Sequence, residues 1–265
     1  MDIAPTPLAQ VPIEVALEVV LVDALAGRLC ELSGEGATCP ASVAFLLVRE
    51  AQRRGVLAAW LQVGWRRQST GTARTTTRPP DAAPFFAPDL IALGLDLATL
   101  PFIPVQDMNE AGRAATHLLR SGAFALLVID TLSPGDGGAS LPDARRTRHT
   151  RTARTAGNDT PHPEAEIPLP LMSRLVGLAQ KHHAALIVLT TKPAHSPSLG
   201  SLVSFHAHVA LARDRTGDVA NGADAADREV DGFTHLTCRL VVEKDKRRGP
   251  GLTLTQTFRA PPGLR

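Results

Sequence analysis

At 265 residues and a formal net charge of +2, the chain has the length of one large α/β domain and lacks the bulk positive charge that coats nucleic acid. Its three cysteines, Cys30, Cys39 and Cys238, are odd in number, far apart and without a C-x-x-C pair, which argues against a disulfide framework or a cysteine zinc site and suits a reducing compartment. No apolar run nears the roughly 20 residues that span a bilayer, and residues 1–12 carry Asp2 and three prolines rather than a basic start and an apolar core, so a cytoplasmic protein without a membrane partner is expected.

In chain order, Leu29 to Ser33 predicts a first core strand and Val43 to Arg54 a helix. Leu57 to Val63 reads as the next strand. Residues 65–84 are rich in Thr, Arg and Pro, with too little apolar surface to fold, and are expected to form a mobile loop. Phe85 to Leu93 reads as helix and Leu100 to Val105 as strand, despite two prolines. Asn109 to Arg120 is an amphipathic helix stopped by Ser121-Gly122. Phe124 to Asp130 has the continuous apolar character of a strand buried on both faces, and it ends in an acid.

Residues 131–167 lack periodicity and predict a second long mobile loop. Leu169 to His182 returns as helix and Ala185 to Thr190 as buried strand. Ser204 to Arg213, Thr234 to Glu243 and Leu252 to Phe258 alternate like hairpin strands on one sheet edge. The order predicts a single α/β domain: an open, mostly parallel sheet of about eight strands with helices on both faces and an antiparallel, β-rich flank.

Between the first strand and its helix lies Glu31-Leu-Ser-Gly-Glu-Gly-Ala-Thr-Cys-Pro-Ala-Ser42, where a phosphate-binding loop belongs. In the pattern G-x-x-x-x-G-K-[ST], backbone N–H groups cradle phosphates, the lysine reaches the terminal oxygens and the hydroxyl holds magnesium. Laid from Gly34, the pattern puts Cys39 at the second glycine, Pro40 at the lysine and Ala41 at the hydroxyl. Proline removes both the ammonium and a backbone donor. No shift of register helps, because the chain has no lysine before Lys181.

With that loop and the acid-ended strand in place, the order of elements over roughly residues 20 to 258 resembles the ATPase core of the RecA recombinases. Leu118-Leu-Arg-Ser-Gly-Ala123 followed by Leu126-Leu-Val-Ile-Asp130 is similar to the Walker B region and the helix before it. Leu186-Ile-Val-Leu-Thr-Thr191 is similar to the strand that ends at the recombinase's nucleotide-sensing glutamine, and Val241-Val-Glu-Lys-Asp-Lys246 to the paired-lysine segment that reaches a neighbouring protomer's nucleotide. The departures are Gly64 at the catalytic glutamate, Thr191 at the glutamine, and a chain that ends at Arg265, where the recombinase continues into a C-terminal domain. A shortened RecA relative with a degenerate Walker A looks most like the ImuA family, accessory proteins of the bacterial SOS response. Their partner ImuB is an inactive Y-family polymerase homologue in mutagenic translesion synthesis.

That resemblance implies a non-enzymatic, damage-inducible adaptor without a cofactor, associated with the nucleoid during DNA damage, with RecA and an ImuB-type polymerase homologue as partners. Two alternatives stand beside it. One is an unconventional ATPase using Arg28 or a neighbour's Lys244 for the missing lysine; the other is a DNA-binding regulator acting through an arginine loop.

Several residues carry two readings. Asp130 is a surviving magnesium ligand or a polar strand end. Cys39 is a redox-sensitive thiol at a helix start or a passive substitution. His206 and His208, with His195 upstream, are three imidazoles for zinc or unrelated histidines. Arg145, Arg146, Arg148, Arg151 and Arg154 track a DNA backbone, bind an acidic partner, or are solvated; in RecA the equivalent loop lines the DNA channel. Without an aromatic residue in that loop, any contact with single-stranded DNA should be weak, sequence-independent and salt-sensitive. Lys244, Lys246, Arg247 and Arg248 form a partner-interface patch or an ordinary turn.

Overall fold

The computed structural model describes residues 22–35, 38–64, 85, 87–132, 168–214 and 235–259. Eight strands form one sheet: β1 (Leu29–Gly34), β2 (Leu57–Gln62), β3 (Phe102–Pro104), β4 (Phe124–Asp130), β5 (Ala185–Thr191), β6 (Phe205–Asp214), β7 (His235–Asp245) and β8 (Thr253–Arg259). Their order is β3-β2-β4-β5-β1-β6-β7-β8. The six strands from β3 to β6 are parallel, and β7 and β8 extend the edge antiparallel. An open, mostly parallel α/β sheet with a β-rich flank is therefore what these residues form.

Helices cover both faces, so β1, β4 and β5 must be apolar on both sides. The first face carries α1 (Thr38–Arg53) and the short α2 (Ala87–Ala92), packed through Val43, Leu47 and Leu90 onto Cys30, Leu32, Val128, Ile187 and Phe205. The second carries α3 (Met108–Ser121) and α4 (Leu169–His182), packed through Ala115, Leu119 and Leu175 onto Leu29, Leu127, Leu186 and Val188. Phe45 of α1 stacks on Trp60 of β2 at 4.2 Å, and Phe85 bridges Phe45 and Phe102 edge-on, so four of the chain's few aromatic rings tie α1 to the β3 edge.

Local sequence sets the helix ends. Asp107 caps α3 by accepting from Glu110 N at 2.8 Å, and Glu110 reaches back to Gln106 N at 2.7 Å, a reciprocal arrangement close to a capping box. Gly122 closes α3 at φ 69°, a left-handed conformation that glycine adopts without strain. Two boundaries differ from expectation. α1 starts at Thr38, not Val43, because a proline in the first turn forfeits no intrahelical hydrogen bond. β3 shrinks to three residues because Pro101 and Pro104 cannot donate to a ladder, which also explains why it lies at the sheet edge.

Candidate functional site

Because the strands from β3 to β6 run parallel, Gly34, Gln62, Asp130 and Thr191 end on one edge of the sheet. Gly34 is fixed by contact rather than by dihedral: a β-carbon there would lie 2.7 Å from the Val209 carbonyl oxygen and 3.0 Å from Pro40 Cγ. Pro40 is the third residue of α1, and its ring is buried against the end of β1. A phosphate-binding lysine at that position would instead present an ammonium to solvent. Ala41 packs against the α1 side of the core and brings no hydroxyl. Cys39 falls in the same first turn, its side chain outside the described residues.

Asp130 faces the α1 side of the sheet, as Val128 and Leu132 do. It pairs in register with Gln62 on β2 and with Leu189 on β5, which in turn pairs with Leu32 on β1. Two strand spacings, roughly 10 Å, thus separate it from β1. β2 connects outward to β3 while β4 connects inward to β5, so the Gln62–Asp130 pair marks a point where open α/β sheets form ligand crevices.

Here the crevice is filled by side chains. Asp130 is 7% exposed, and its Oδ1 accepts from Leu132 N at 2.9 Å. Gln62 Nε2 donates to the Asp130 carbonyl oxygen at 3.4 Å, while Gln62 Oε1 is buried without a partner. Burial pushes the Asp130 carboxyl up to about 6, against the opposing pull of Leu132 N–H, Trp60 and Gln62. The carboxyl is turned inward, 7% exposed and held by Leu132 N, whereas a magnesium ligand presents its oxygen to a hydrated ion. This burial favours the reading of Asp130 as a polar strand end. Gly64, exposed at φ 85°, offers no acid where the resemblance implies a catalytic glutamate, and Thr191 is an exposed hydroxyl opposite Gly34.

The substitute cations are committed elsewhere. Arg28 precedes β1 at the opposite end from Gly34, buried, bonding Ser204, the Ala24 carbonyl and Asp245 Oδ1, the last at 2.7 Å. It cannot reach the loop after β1. Burial would raise the Asp245 carboxyl, but the bonds from Arg28 and Arg247 N–H outweigh it and hold the group below its ordinary range.

A second polar layer, on the α3–α4 side, went unread in the sequence. Glu31, wholly buried on β1, accepts from Thr190 Oγ1 at 2.9 Å and Leu199 N at 2.7 Å and pairs with Lys192 Nζ at 2.7 Å. Beside it, Ser33 Oγ lies 2.9 Å from His206 Nε2, and His206 Nδ1 lies 3.5 Å from Glu243 Oε2. Glu243 Oε1 accepts from His195 N at 2.7 Å. Burial holds His206 below its ordinary pKa against the pull of Glu31 and Glu243. The chain of contacts has the sequence of an acyl-transfer triad. Ser33, however, is 0% exposed inside the sheet, so no substrate carbonyl reaches it. What the layer does is pin residues 192–204, the link from β5 to β6, which has no regular structure of its own. His206 spends both ring nitrogens on Ser33 and Glu243; His195 is 89% exposed; no cluster of three or more metal-ligating residues occurs among the described residues. The available signal was Glu31 and Ser33, two polar residues at alternating positions of an otherwise apolar run.

Of the proposed interface cations, Lys244 Nζ donates to Ser198 Oγ at 2.9 Å and to the Gly200 carbonyl at 3.1 Å, and Lys246 Nζ to the Ser201 carbonyl. Burial and then the neighbouring Lys246 push the Lys244 ammonium below its ordinary pKa. Arg247 reaches the Ala26 carbonyl at 3.4 Å, while Arg248 makes no side-chain bond among the described residues. The five arginines from Arg145 to Arg154 lie outside the described residues, as do nearly all of the two expected mobile loops. Among the described residues no helix is long and apolar enough to cross a membrane. No protein-family model matches the chain, and no curated protein matches it.

Proposed function

We propose that this chain is a non-catalytic adaptor built on a RecA-like core, acting in SOS-induced DNA damage tolerance. It binds RecA and an inactive Y-family polymerase homologue of the ImuB type, supports error-prone translesion synthesis and limits RecA filament growth. One observation carries the reading: at the edge where β1 meets α1, the position of a nucleotide site in a RecA-like core, the Pro40 ring packs on Gly34 and Asp130 is buried. Magnesium and nucleotide have neither an ammonium nor a solvent-facing acid to hold them there.

In a recombinase filament, ATP held between protomers cements each joint. A subunit with the same core and no means of holding nucleotide docks on a filament end and gives the next protomer nothing to bind through. The acceptor groove of such a core also suits a RecA-like peptide on the polymerase partner. Arg145, Arg146, Arg148, Arg151 and Arg154 supply a weak, sequence-independent contact with single-stranded DNA.

Electron microscopy of RecA on single-stranded DNA with increasing amounts of this protein tests the reading. Filaments should shorten at substoichiometric amounts, because one blocked end halts all later additions there. Unchanged lengths, where a pull-down confirms association, would refute capping. A rise in melting temperature with millimolar ATP and magnesium would refute the adaptor and promote the unconventional ATPase, since a ligand of the folded state must stabilise it.

A further inference from the structure

Among the described residues Arg28 pairs with Asp245, Arg53 with Glu50, Arg54 with Glu50 and Asp23, and Lys192 with Glu31, while Lys244, Lys246 and Arg247 bond neighbouring hydroxyl or carbonyl oxygens. The α3–α4 layer has neither kind of partner for its cations among the described residues. Its four permanent cations, Arg113, Arg120, Arg174 and Lys181, are all exposed and have no carboxylate within 4 Å among the described residues. The one acid on either helix, Glu110, is turned back onto Gln106 N.

These cations are also arranged. α3 and α4 each lead into the start of a parallel strand, so they run side by side in the same direction. Contact at both ends keeps them level: a β-carbon on Gly112 would meet Leu171 Cδ2 at 2.2 Å, and one on Gly122 would meet His182 Nδ1 at 3.1 Å. Each helix has 14 residues and carries a cation at its sixth and thirteenth positions. At 3.6 residues per turn, Arg113 and Arg120 fall between Gly112 and Thr116, which face α4, and the outward pole of α3. Arg174 and Lys181 fall likewise between Leu171 and Leu178 and the outward pole of α4. All four overhang the seam. The flanks turned away from it carry Ser173 and Gln180 on one helix, Ala114 and Ser121 on the other.

The helix dipole accounts for Arg120 and Lys181, which lie in last turns, but not for Arg113 and Arg174 in mid-helix. Unpaired like charges crowded on adjacent helices oppose folding rather than help it. We infer that the α3–α4 seam is a docking surface for the phosphate backbone of duplex nucleic acid, contacted by Arg113, Arg120, Arg174 and Lys181. The axes of packed helices lie about 8–10 Å apart and the two cations of each helix about 10 Å apart along it, so rigid helices present the cations in two rows that suit rows of phosphates. No aromatic residue occurs on either helix, so base stacking, the usual grip on a single strand, is absent. An acidic protein partner fits less well, because protein interfaces centre on buried aromatic or aliphatic anchors, and this seam is rimmed by cations. The site is independent of the adaptor reading and of the arginines beyond residue 144.

The test measures fluorescence anisotropy of a mixed-sequence DNA duplex of about 20 base pairs with the full chain, across a salt series. Four phosphate contacts make the affinity fall about 100-fold between 50 and 200 mM salt, at a log–log slope of about 0.9 per contact. The variant Arg113→Gln/Arg120→Gln/Arg174→Gln/Lys181→Gln should lower that slope by about 3 to 4, and Arg113→Gln/Arg174→Gln alone by about 1 to 2. The double variant alters exposed mid-helix positions only and covers the case in which the quadruple variant misfolds. A loop variant with alanine at the five arginines from Arg145 to Arg154 should keep the seam's share. An unchanged slope in the folded seam variants overturns the inference. So does wild-type protein that ignores the duplex yet captures polyglutamate, or duplex binding lost wholly in the loop variant.

Discussion

Asp130→Asn isolates the cost of the buried acid. The carboxyl titrates near 6 in the folded chain against 3.8 for an exposed aspartate. That difference corresponds to about 3 kcal/mol, at 1.36 kcal/mol per pH unit. Between those two values the folded state holds a proton that the unfolded state has released, so stability falls as pH rises, and above about 6 the full penalty is in place. Asparagine keeps the acceptor for Leu132 N and carries no charge to bury. The variant should therefore match the wild type near pH 3.5, gain stability steadily to pH 6, and at pH 8 be more stable by about 3 kcal/mol. For a chain of this size that is a rise of about 6–12 °C in melting temperature. Urea unfolding at pH 3.5, 5, 6 and 8 reads it directly. An equal effect at every pH, or a loss at pH 8, would refute the assignment of Asp130 as an unpaired buried acid and restore it as an ionised ligand.

Pro40→Lys alone should give no thermal shift with ATP and magnesium, because Ala41 still lacks the hydroxyl and Asp130 is still buried; a shift would show that the proline alone closed the site. Gly34→Ala should lose about 1–3 kcal/mol in urea unfolding, since its β-carbon would meet the Val209 carbonyl oxygen, which is backbone and cannot swing aside. Glu31→Gln should cost about 1–3 kcal/mol and speed amide exchange at Leu199, whose N–H the carboxylate accepts; unchanged exchange there would mean that Glu31 does not anchor residues 192–204. Arg28→Met should lose about 3–5 kcal/mol by leaving Asp245 buried beside an apolar stem, with part of the loss recovered by Asp245→Asn in the same chain.

Most of the sheet was legible because its strands obey period and burial together. Phe124 to Asp130 and Leu169 to His182 fall where the pattern predicts them; of the three alternating runs near the end, the last two form the antiparallel flank, while the first, expected there too, joins the parallel sheet beside β1 as β6. Boundaries failed where proline has two meanings. Pro40 reads as a breaker in sequence and as a first-turn residue in the fold, and Pro101 and Pro104 trim a strand that pattern alone makes longer. The filled crevice was half legible: the missing lysine is a letter in the sequence, but the burial of Asp130 under Trp60 and Gln62 depends on register between β2 and β4, which no local window contains. The Glu31–Lys192 and Ser33–His206 contacts join residues more than 150 positions apart, brought together only when β5 and β6 flank β1.

The paired-lysine segment bears most directly on how such a chain would meet a filament. Lys244 and Lys246 donate inward to Ser198, Gly200 and Ser201, and a bulge opposite His206 brings Glu243 into the same layer. For Lys244 to reach a neighbour's nucleotide it must give up two hydrogen bonds, each worth about 1 kcal/mol net, and release the link between β5 and β6. Arg248 faces no such cost, and Arg247 gives up only a 3.4 Å contact. If the segment meets a neighbouring protomer, the two arginines must make the contact while the lysines hold the surface in shape. Arg247→Ala/Arg248→Ala should then weaken capture of RecA in a pull-down without lowering the melting temperature, whereas Lys244→Ala should lower the melting temperature first. The reverse pattern would place the contact on Lys244 and show that residues 192–204 let go when a partner docks.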